Sequence, residues 1–585
     1  MTWDNLPGKP RERSLTFFAT MAFHSSRLAT GAQTRMAFTA KADLANKLDR
    51  VNDRYSPPTC DDARRARCLE KWARTMLWIG VLIRLSFTFF ATNNGGDALA
   101  RAATTAEWLK HPSLALEFAG LHWLPIHFWM MASLSLLVRN VTWGCRLLSL
   151  LCGIFSLWAF WRIARDAYDV PAALLSVTLF VFYSLHIGYS TTSSSEVPYL
   201  AFILAGLLSF LAYRRDQRLL TLALAGIFLT IGAGIRYEAW IFIILIVSLL
   251  LWNAGDTKWL SWNHFRSALV FGFTAGMWPV FWMVHQWRAH GDLLFALRHN
   301  RASIPDQLAV NPSHAGLYQV LLPPGVILLT LTPLAVLGGF YALLLAVRES
   351  KARELALIAC GFMLMHFRSF ATGGILAGAR YTLTDGMLLA LLAGYGLWRL
   401  ANKLGICGYK RLFFFTTAIA VLNLLAILSF SCTNNEYADK FRSISPLLQY
   451  PRRVEGVEKF LFPRLQPTDA ALIDNYSEES NILAAAIGLP LLPGDRTFPI
   501  SRSGPSQVWR YIQVRRPKYV ILADAGVLRP YLPLPGTCRG TVELRGLQFS
   551  CLFRNEMYCV YSVSYPPFWS SPGTSSLSVN QAKAP

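Results

Sequence analysis

The sequence predicts a polytopic α-helical membrane protein with a small globular domain near its carboxyl end. Of the 585 residues, 53% are hydrophobic and only 15% are charged, which is too apolar for a water-soluble chain of this length. The hydrophobic residues form about eleven runs, each approaching the roughly 20 residues that a membrane-spanning helix needs. A membrane β-barrel would show short segments of alternating hydrophobicity instead. Basic residues follow every second run, as expected where those connections face the cytoplasm.

The net charge of +22 at pH 7 has the same origin. In a soluble protein it would suggest a nucleic-acid partner. Here the Lys and Arg residues lie between the apolar runs, where the cytoplasmic bias and anionic lipid explain them, so no nucleic-acid partner is expected. Residues 1–74 are basic and polar, and we predict a disordered cytoplasmic tail. The alternatives are an organelle transit peptide within residues 14–41 and an over-extended start.

The apolar runs define a membrane domain over residues 75–430. The first loop, 93–142, and a large loop, 285–324, are predicted to face outward. Residues 121–138 are apolar and aromatic, and at this stage they either cross the membrane or lie at its interface. The predicted spans are residues 76–91, 143–161, 170–187, 197–213, 219–235, 239–252, 268–284, 326–347, 355–367, 383–398 and 412–430.

Residues 431–565 regain ordinary globular composition and are predicted to form an extracytoplasmic α/β domain. Residues 470–474 and 518–523 read as short buried strands, and residues 480–487 as a helix between them. The last residues, 566–585, are rich in Ser and Pro and are predicted to be disordered. Four cysteines lie in this outer part, so at least one disulfide is expected among Cys432, Cys538, Cys551 and Cys559.

Charged residues gather at the predicted outer ends of the spans. Ionisable groups near a membrane are costly and usually functional. Arginines can bind a phosphate by forked, charge-assisted hydrogen bonds, and an acid can take a proton from an attacking hydroxyl or amine. Helix capping, ordinary ion pairs and contacts with lipid headgroups are the alternative explanations. The set comprises Asp97, Arg101, Glu196, Arg236, Glu238, Arg301, Arg368 and Arg380.

Several other chemistries lack their motifs. The sequence has no glycine-rich phosphate loop with its lysine, no His-Glu-x-x-His and no nucleophile elbow. The cysteines and histidines show no metal-ligand spacing, so no metal ligands are assigned. We therefore expect no nucleotide cofactor, and the sequence leaves a divalent metal open.

The order of these features resembles a known family. An acid follows two glycines after the first span, in Gly95-Gly96-Asp97-Ala98, and an aromatic segment with a proline comes next. A second acid, Glu196, ends the third span, and Arg236-Tyr237-Glu238 ends the fifth. A long outer loop and an outer soluble domain complete the pattern. Over residues 77–430 this layout resembles the polyprenyl-phosphate-sugar-dependent glycosyltransferases of the GT-C fold, which include protein O-mannosyltransferases and lipid A aminoarabinose transferases.

The resemblance implies roles for individual residues. Asp97 corresponds to the first-loop acid that acts as general base, and Glu196 stands where relatives often carry a supporting aspartate. Relatives often read Asp-Glu in the first loop, whereas this chain has Asp97-Ala98, so it must do without the second acid or use Glu196. Phosphate binding is expected of four arginines, and substrate contacts of three further residues. These are Arg236, Arg380, Arg301 and Arg368 for the donor phosphate, and Arg101, Tyr237 and Glu238 for substrate.

The expected function is therefore an inverting transfer of a sugar from an undecaprenyl- or dolichyl-phosphate donor to a protein, lipid or glycan acceptor at the outer face. The membrane would be a bacterial inner membrane or the endoplasmic reticulum, with the amino terminus in the cytoplasm. A transporter or flippase for a lipid-linked or anionic substrate is the alternative. It would place ionisable groups near the bilayer midplane on broken helices and would show internal repeats.

Overall fold

The protein is mostly helical, with a five-stranded sheet near its carboxyl end. The computed structural model describes residues 60–90, 96–110, 112–121, 123–252, 262–302, 304–305, 316–375, 377–405, 408–432, 452–461, 463–466, 469, 471–474, 508–509, 512–513, 516–524, 528–538 and 540–567. The helix predicted over residues 480–487 and the terminal segment from residue 568 lie outside this part.

The helices of the membrane domain connect through short turns. In chain order they are α1 (Cys60–Phe90), α2 (Gly96–Lys110), α3 (Pro125–Val138), α4 (Val141–Ala167), α5 (Val170–Val181), α6 (Ser184–Tyr189), α7 (Glu196–Asp216), α8 (Leu219–Ala233), α9 (Ala239–Leu251), α10 (Trp262–His290), α11 (Phe295–Ala302), α12 (Leu317–Leu331), α13 (Pro333–Ala346), α14 (Ser350–Ala371), α15 (Leu383–Lys403) and α16 (Tyr409–Cys432).

Several of these helices have the length and composition of membrane spans. In the described part of the chain, five are long and apolar enough to cross a membrane, and the pair α12–α13 would add a sixth if it formed one span. The five lie in α4, α7, α10, α14 and α16. Shorter apolar helices of 10–17 residues include α3, α5, α8 and α9. The chain is thus a multi-pass membrane protein, while the count of about eleven spans stays a prediction.

The predicted eighth span, residues 326–347, is wrong as a single straight helix. It is broken at Thr332, and α12 and α13 meet at a bend of 111°. Proline lacks an N–H and its ring clashes with the preceding turn, so Pro333 fits the first position of a helix and disfavours a continuous helix through it. It also drives the residue before it out of the helical region. The ψ of Thr332, 142°, fits this effect, and its hydroxyl caps α13 by accepting from the Ala335 N–H.

The predicted third span is also interrupted, between α5 and α6. At this interruption the Val181 carbonyl accepts a hydrogen bond from α1, since Nη1 of Arg84 donates to it at 3.3 Å. The same guanidinium is fully buried and donates to Nδ1 of His186 at 2.7 Å. A buried polar group of this kind is tolerated when its hydrogen bonds are made inside the protein.

Two predicted boundaries also need correction. The basic tail was predicted to reach residue 74, yet α1 begins at Cys60. Within α1, Glu70 pairs with Arg165 of α4 at 2.7 Å. The large loop was predicted over residues 285–324, but α10 continues to His290 and α12 begins at Leu317. Residues 323 and 324, the predicted end of that loop, are prolines that lie within α12.

The centre of the membrane domain is α15, which is buried on nearly all sides by α5, α13 and their neighbours. A helix that is apolar all round belongs in such an interior. Small residues permit the closest approach. A Cβ on Gly396 would lie 1.8 Å from the Gly338 carbonyl oxygen of α13. This packing fixes the start of α15, where Thr384 and Asp385 are buried.

The carboxyl-terminal domain contains a mixed sheet of order β1-β2-β5-β4-β3. Strands β1 (Ala471–Ile473) and β2 (Tyr519–Ala523) lie where the sequence predicts them and pair in parallel. Three antiparallel strands, β3 (Thr541–Leu544), β4 (Leu547–Arg554) and β5 (Tyr558–Ser564), were not predicted. A further helix, α17 (Arg452–Leu461), packs on β4 and β5. A disulfide joins Cys538 to Cys551, so the expectation of at least one disulfide among the outer cysteines is confirmed.

Candidate active site

Asp97 lies in the first turn of α2, where the helix dipole favours an acid. Its carboxylate accepts a charge-assisted hydrogen bond from Nη1 of Arg380, a residue 283 positions further along the chain. Arg380 comes from the 3₁₀ turn Ala379–Thr382, which leads directly into α15. The side chains of Asp97 and Arg380 are 41% and 32% exposed, so this ion pair remains accessible.

A second group of charges surrounds Arg236, in the turn between α8 and α9. Its Nη1 donates to Glu196 Oε1 at 2.6 Å, and its Nε and Nη2 donate to Glu238 Oε1 at 3.1 and 2.5 Å. These three side chains are largely buried. Glu196 is fixed at the start of α7 by the preceding polar run, residues 190–195, which is buried throughout. Nε of Arg146 anchors that run by donating to the Thr191 carbonyl at 2.8 Å.

Tyr381 connects the two groups. The guanidinium carbons of Arg236 and Arg380 lie 5.3 and 4.9 Å from the centroid of its ring, within the range of cation–π attraction. Its hydroxyl accepts from Nη2 of Arg380 at 3.1 Å. Arg236, Arg380 and Tyr381 border a narrow cleft, which is lined by Glu196, Tyr199, Arg236, Glu238, Arg380, Tyr381, Leu383 and Thr384.

Arg101 differs from the other two arginines. It is one helical turn from Asp97 and buried, and its guanidinium carbon lies 4.7 Å from the Trp123 ring centroid and 5.7 Å from that of Phe128. Its Nη1 is 3.5 Å from Nδ1 of His127. Within the described ranges no carboxylate lies at ion-pair distance from Arg101. It is therefore a buried cation whose charge is balanced only at longer range.

These contacts shift the pKa values of the charged groups. Burial would raise the pKa of Asp97, but the charges of Arg380 and Arg101 outweigh it and lower that pKa. Burial also raises the pKa of Glu238, and Arg236 reverses the shift, so the net direction is downward. Burial lowers the pKa of Arg236, but its partners Glu238 and Glu196 raise it by more, so the net shift is upward. Burial lowers the pKa of Arg101 to about 10. All of these side chains therefore stay charged at neutral pH.

The structure thus gathers six of the predicted site residues and leaves three apart. Arg301 is exposed on α11 and Arg368 is exposed in the last turn of α14. Among the described contacts, neither is joined to the cleft by an ion pair or hydrogen bond. Tyr237 faces the other way: its hydroxyl donates to the Leu121 carbonyl at 3.3 Å, and its ring packs on Trp240. The six that come together are Asp97, Arg101, Glu196, Arg236, Glu238 and Arg380.

Sequence reasoning missed several residues of the site. Tyr199, Tyr381 and Thr384 line the cleft, and nothing in their local sequence marks them. Beside Thr384, Asp385 pairs with His366 of α14 at 2.7 Å, and both side chains are fully buried. This pair did carry a signal, because ionisable residues inside predicted spans are usually functional.

A separate polar cluster links the segment after α2 to α10. Glu117 accepts a hydrogen bond from Gln286 at 2.8 Å and is paired with His290 Nε2 at 3.0 Å, and Nε2 of His285 lies 3.2 Å from the same carboxylate oxygen. In the part of the chain that the structure describes, no group of three or more His, Cys, Asp or Glu side chains is arranged to hold a metal ion. The cluster serves to fasten the aromatic segment near Trp123 against α10.

Comparison with known proteins identifies the fold. A family model described as dolichyl-phosphate-mannose-protein mannosyltransferase matches residues 111–282. No curated protein sequence matches the chain significantly. Among solved structures, the chain is similar to ArnT from Cupriavidus metallidurans bound to undecaprenyl phosphate, with a TM-score of 0.55 and 14% identity, covering 84% of this chain and 98% of that one. The apo state of that protein gives the same TM-score and coverage at 13% identity.

The chain is also similar to the apo form of the oligosaccharyltransferase from Archaeoglobus fulgidus, at 12% identity and a TM-score of 0.46, covering 77% of this chain and 69% of that one. The likeness to ArnT over nearly its whole length shows that the chain has the GT-C fold, the fold of polyprenyl-phosphate-dependent glycosyltransferases. The resemblance drawn from the sequence is confirmed at this level.

Proposed function

We propose that the protein is a glycosyltransferase that moves a sugar from a polyprenyl-phosphate donor to an acceptor at the extracytoplasmic face of a membrane. The observation that carries this proposal is a group of charges at one cleft of a GT-C fold: two acids and two arginines line it, Asp97 pairs with one of those arginines, and Arg101 interacts electrostatically with Asp97. Arginines suit a lipid phosphate, and an accessible carboxylate suits proton abstraction. The solved relative ArnT has undecaprenyl phosphate bound, which supports a lipid of this class.

The donor phosphate would bind first through Arg101. Arg236 and Arg380 already contact carboxylates, whereas Arg101 has none at ion-pair distance among the described residues. The rings of Trp123 and Phe128 hold its guanidinium in place, so little side-chain freedom is lost when an anion arrives. Exposed Arg301 and Arg368 would act at the periphery, where they can attract the anionic donor before it enters.

Asp97 would be the general base. In the transfer, a carboxylate oxygen of Asp97 takes the proton from the acceptor hydroxyl or amine, and the acceptor atom bonds to the anomeric carbon of the sugar. The bond from that carbon to the phosphate oxygen breaks, and the phosphate keeps the electron pair. One displacement of this kind inverts the anomeric centre. The arginines stabilise the negative charge that develops on the departing phosphate.

The ion pair with Arg380 would regulate this base. In the free protein, Arg380 and Arg101 hold the pKa of Asp97 below its usual value, which makes its carboxylate a weak proton acceptor. A phosphate that draws both arginines toward itself removes that effect and makes Asp97 more basic. Catalytic basicity would then rise only in the donor complex. Glu196, held by Arg236, would orient the acceptor and support the site.

We further propose the orientation that the basic loops indicate, with a cytoplasmic amino terminus and an extracytoplasmic carboxyl-terminal domain. The rival function, transport or flipping of a lipid-linked or anionic substrate, is favoured by one observation, the bend of 111° between α12 and α13. Transporters often bind their substrates at such broken helices. A transporter would move the lipid across the membrane without cleaving the bond between sugar and phosphate.

The proposal is tested by binding and by turnover in reconstituted membranes. Undecaprenyl phosphate should bind the wild-type protein, and Arg101→Gln should weaken binding about tenfold to a hundredfold, because one charged hydrogen bond is lost. Arg214→Gln is the matched control, since Arg214 pairs with Glu354 at 2.5 Å outside the cleft. Sugar-charged lipid should release free polyprenyl phosphate when native membrane extract supplies acceptor. Movement of intact donor between leaflets without release would favour the transporter.

A further inference from the structure

Arg236 has no free edge for a phosphate. Its Nε and Nη2 form one edge, which Glu238 occupies, and its Nη1 contacts Glu196 at 2.6 Å and Ser195 Oγ at 3.3 Å. A forked contact with the donor therefore requires a carboxylate to leave. Among the described residues, Arg236 is the only side-chain hydrogen-bond partner of both Glu238 and Glu196, but Glu238 also interacts electrostatically with His366, which gives it a second partner.

A second partner for Glu238 lies beneath the cleft. The rings of Phe242 and Phe362 pack with centroids 4.7 Å apart where α9 crosses α14. Glu238 precedes Phe242 by one helical turn and His366 follows Phe362 by one turn. Since α9 begins and α14 ends near the cleft, Glu238 and His366 both lie one turn closer to the cleft than the Phe242–Phe362 contact. They interact electrostatically in the free protein.

His366 is built to receive a carboxylate. Its Nδ1 contacts Asp385 Oδ2 at 2.7 Å, and both side chains are fully buried. With Asp385 ionised, Nδ1 carries the proton, because a carboxylate only accepts hydrogen bonds. Among the residues that the structure describes, neither the other ring nitrogen, Nε2, nor Oδ1 of Asp385 has a hydrogen-bond partner, and both atoms are buried. A buried polar atom without a partner costs stability. The charged groups facing His366 are Asp385 of α15 and Glu238 and Arg236 of the turn before α9.

We propose that Glu238 changes partners when the donor binds: it leaves Arg236 and pairs with Nε2 of protonated His366, which frees one edge of Arg236 for the phosphate. This inference rests on the proposed function and names His366 and Asp385 as positioning residues of that site.

A double-mutant cycle tests the exchange, with undecaprenyl phosphate as the ligand and the full chain in lipid nanodiscs. Changing His366→Gln alone would leave Asp385 buried and unpaired, which risks unfolding. The perturbation is therefore the neutral pair His366→Gln with Asp385→Asn. In the wild-type background it should weaken binding about tenfold or more, as expected for the loss of one charged hydrogen bond. Combining Arg399→Gln with Glu349→Gln neutralises another pair, also at 2.7 Å and outside the cleft, and serves as control.

The second arm uses Glu238→Gln, which removes the carboxylate that blocks Arg236. This variant should bind undecaprenyl phosphate at least as tightly as the wild type. In its background, neutralising His366 and Asp385 should change affinity by less than about twofold, because no carboxylate remains to be received. Equal losses in both backgrounds would overturn the exchange, as would a tenfold loss in Glu238→Gln alone. Absence of binding by the wild type would instead overturn the proposed function, and the exchange with it.

Discussion

Replacing Asp97 by asparagine removes the proposed base with little disturbance to its surroundings. The change keeps the size of the side chain and removes the proton acceptor. Loss of a general base typically lowers the rate about a hundredfold to ten-thousandfold. The Asp97 side chain is 41% exposed, so its ion pair with Arg380 contributes only about 0–1 kcal/mol to folding. The melting temperature should therefore fall by a few degrees at most.

Donor binding should behave differently from turnover. In the wild type, the arriving phosphate competes with Asp97 for Arg380. The asparagine releases that arginine, so undecaprenyl phosphate should bind Asp97→Asn at least as tightly as the wild type. The assay measures release of polyprenyl phosphate from sugar-charged lipid in proteoliposomes, with native membrane extract as acceptor, and binding of undecaprenyl phosphate by the same preparations.

Asp292→Asn is a matched control, since Asp292 pairs with Arg298 at 3.0 Å beyond the end of α10. It should leave both binding and transfer unchanged. Full transfer by Asp97→Asn would refute the assignment of the base. Equal losses of binding and transfer would show that Asp97 holds the site together and does not take the proton.

Three further predictions concern other parts of the molecule. A cysteine-accessibility scan should label residues 349–353 only from the cytoplasm and residues beyond 440 only from outside, and outside labelling near Lys351 would reverse the orientation. Non-reducing peptide mapping should recover Cys538 linked to Cys551, with Cys559 as free thiol, and alkylation of all four outer cysteines without reduction would contradict this. Burial raises and Arg236 lowers the pKa of Glu238, with a downward net shift. Its stabilising contribution is thus complete above the usual glutamate value of about 4.3 and is lost as the pH falls through its lower native value. Glu238→Gln should flatten the acid limb of the curve of melting temperature against pH, and an unaltered limb would show that the pair does not stabilise the fold.

Six of the nine residues that the sequence assigns to the site lie together, but the sequence does not predict how they pair. Asp97, Glu196, Arg236 and Arg380 each follow or begin an apolar run, and the alternation of basic loops assigns all four to the same side of the membrane. The contact between Asp97 and Arg380, 283 residues apart, depends on which helices are neighbours. Periodicity along the chain carries no information about that lateral order.

Other errors had visible signals. Pro333 lies inside the predicted eighth span, and proline in a helix interior marks a break, yet the hydrophobic run continues through it and dominates a window average. Asp385 was overlooked for a similar reason: it lies at the start of a predicted span, where the apolar residues that follow it dominate the average. Tyr381 is different, because its importance comes from contact with two arginines that reach it from separate turns. A tyrosine at the start of a helix is unremarkable until that contact is known.

The pKa values of the site also indicate how the proposed cycle would end. After transfer, Asp97 holds the acceptor proton, and the leaving lipid phosphate has become a monoester whose second pKa is about 6. While the product phosphate holds Arg380 and Arg101, Asp97 would keep that proton. As the lipid phosphate leaves, both arginines would face Asp97 again, and their charges, acting against burial, would lower its pKa below the usual value of about 3.9, as in the free protein. The proton would then pass to the departing phosphate, the more basic group, and Arg380 would pair with Asp97 again. The ion pair of the free protein would thus reset the base after each turnover.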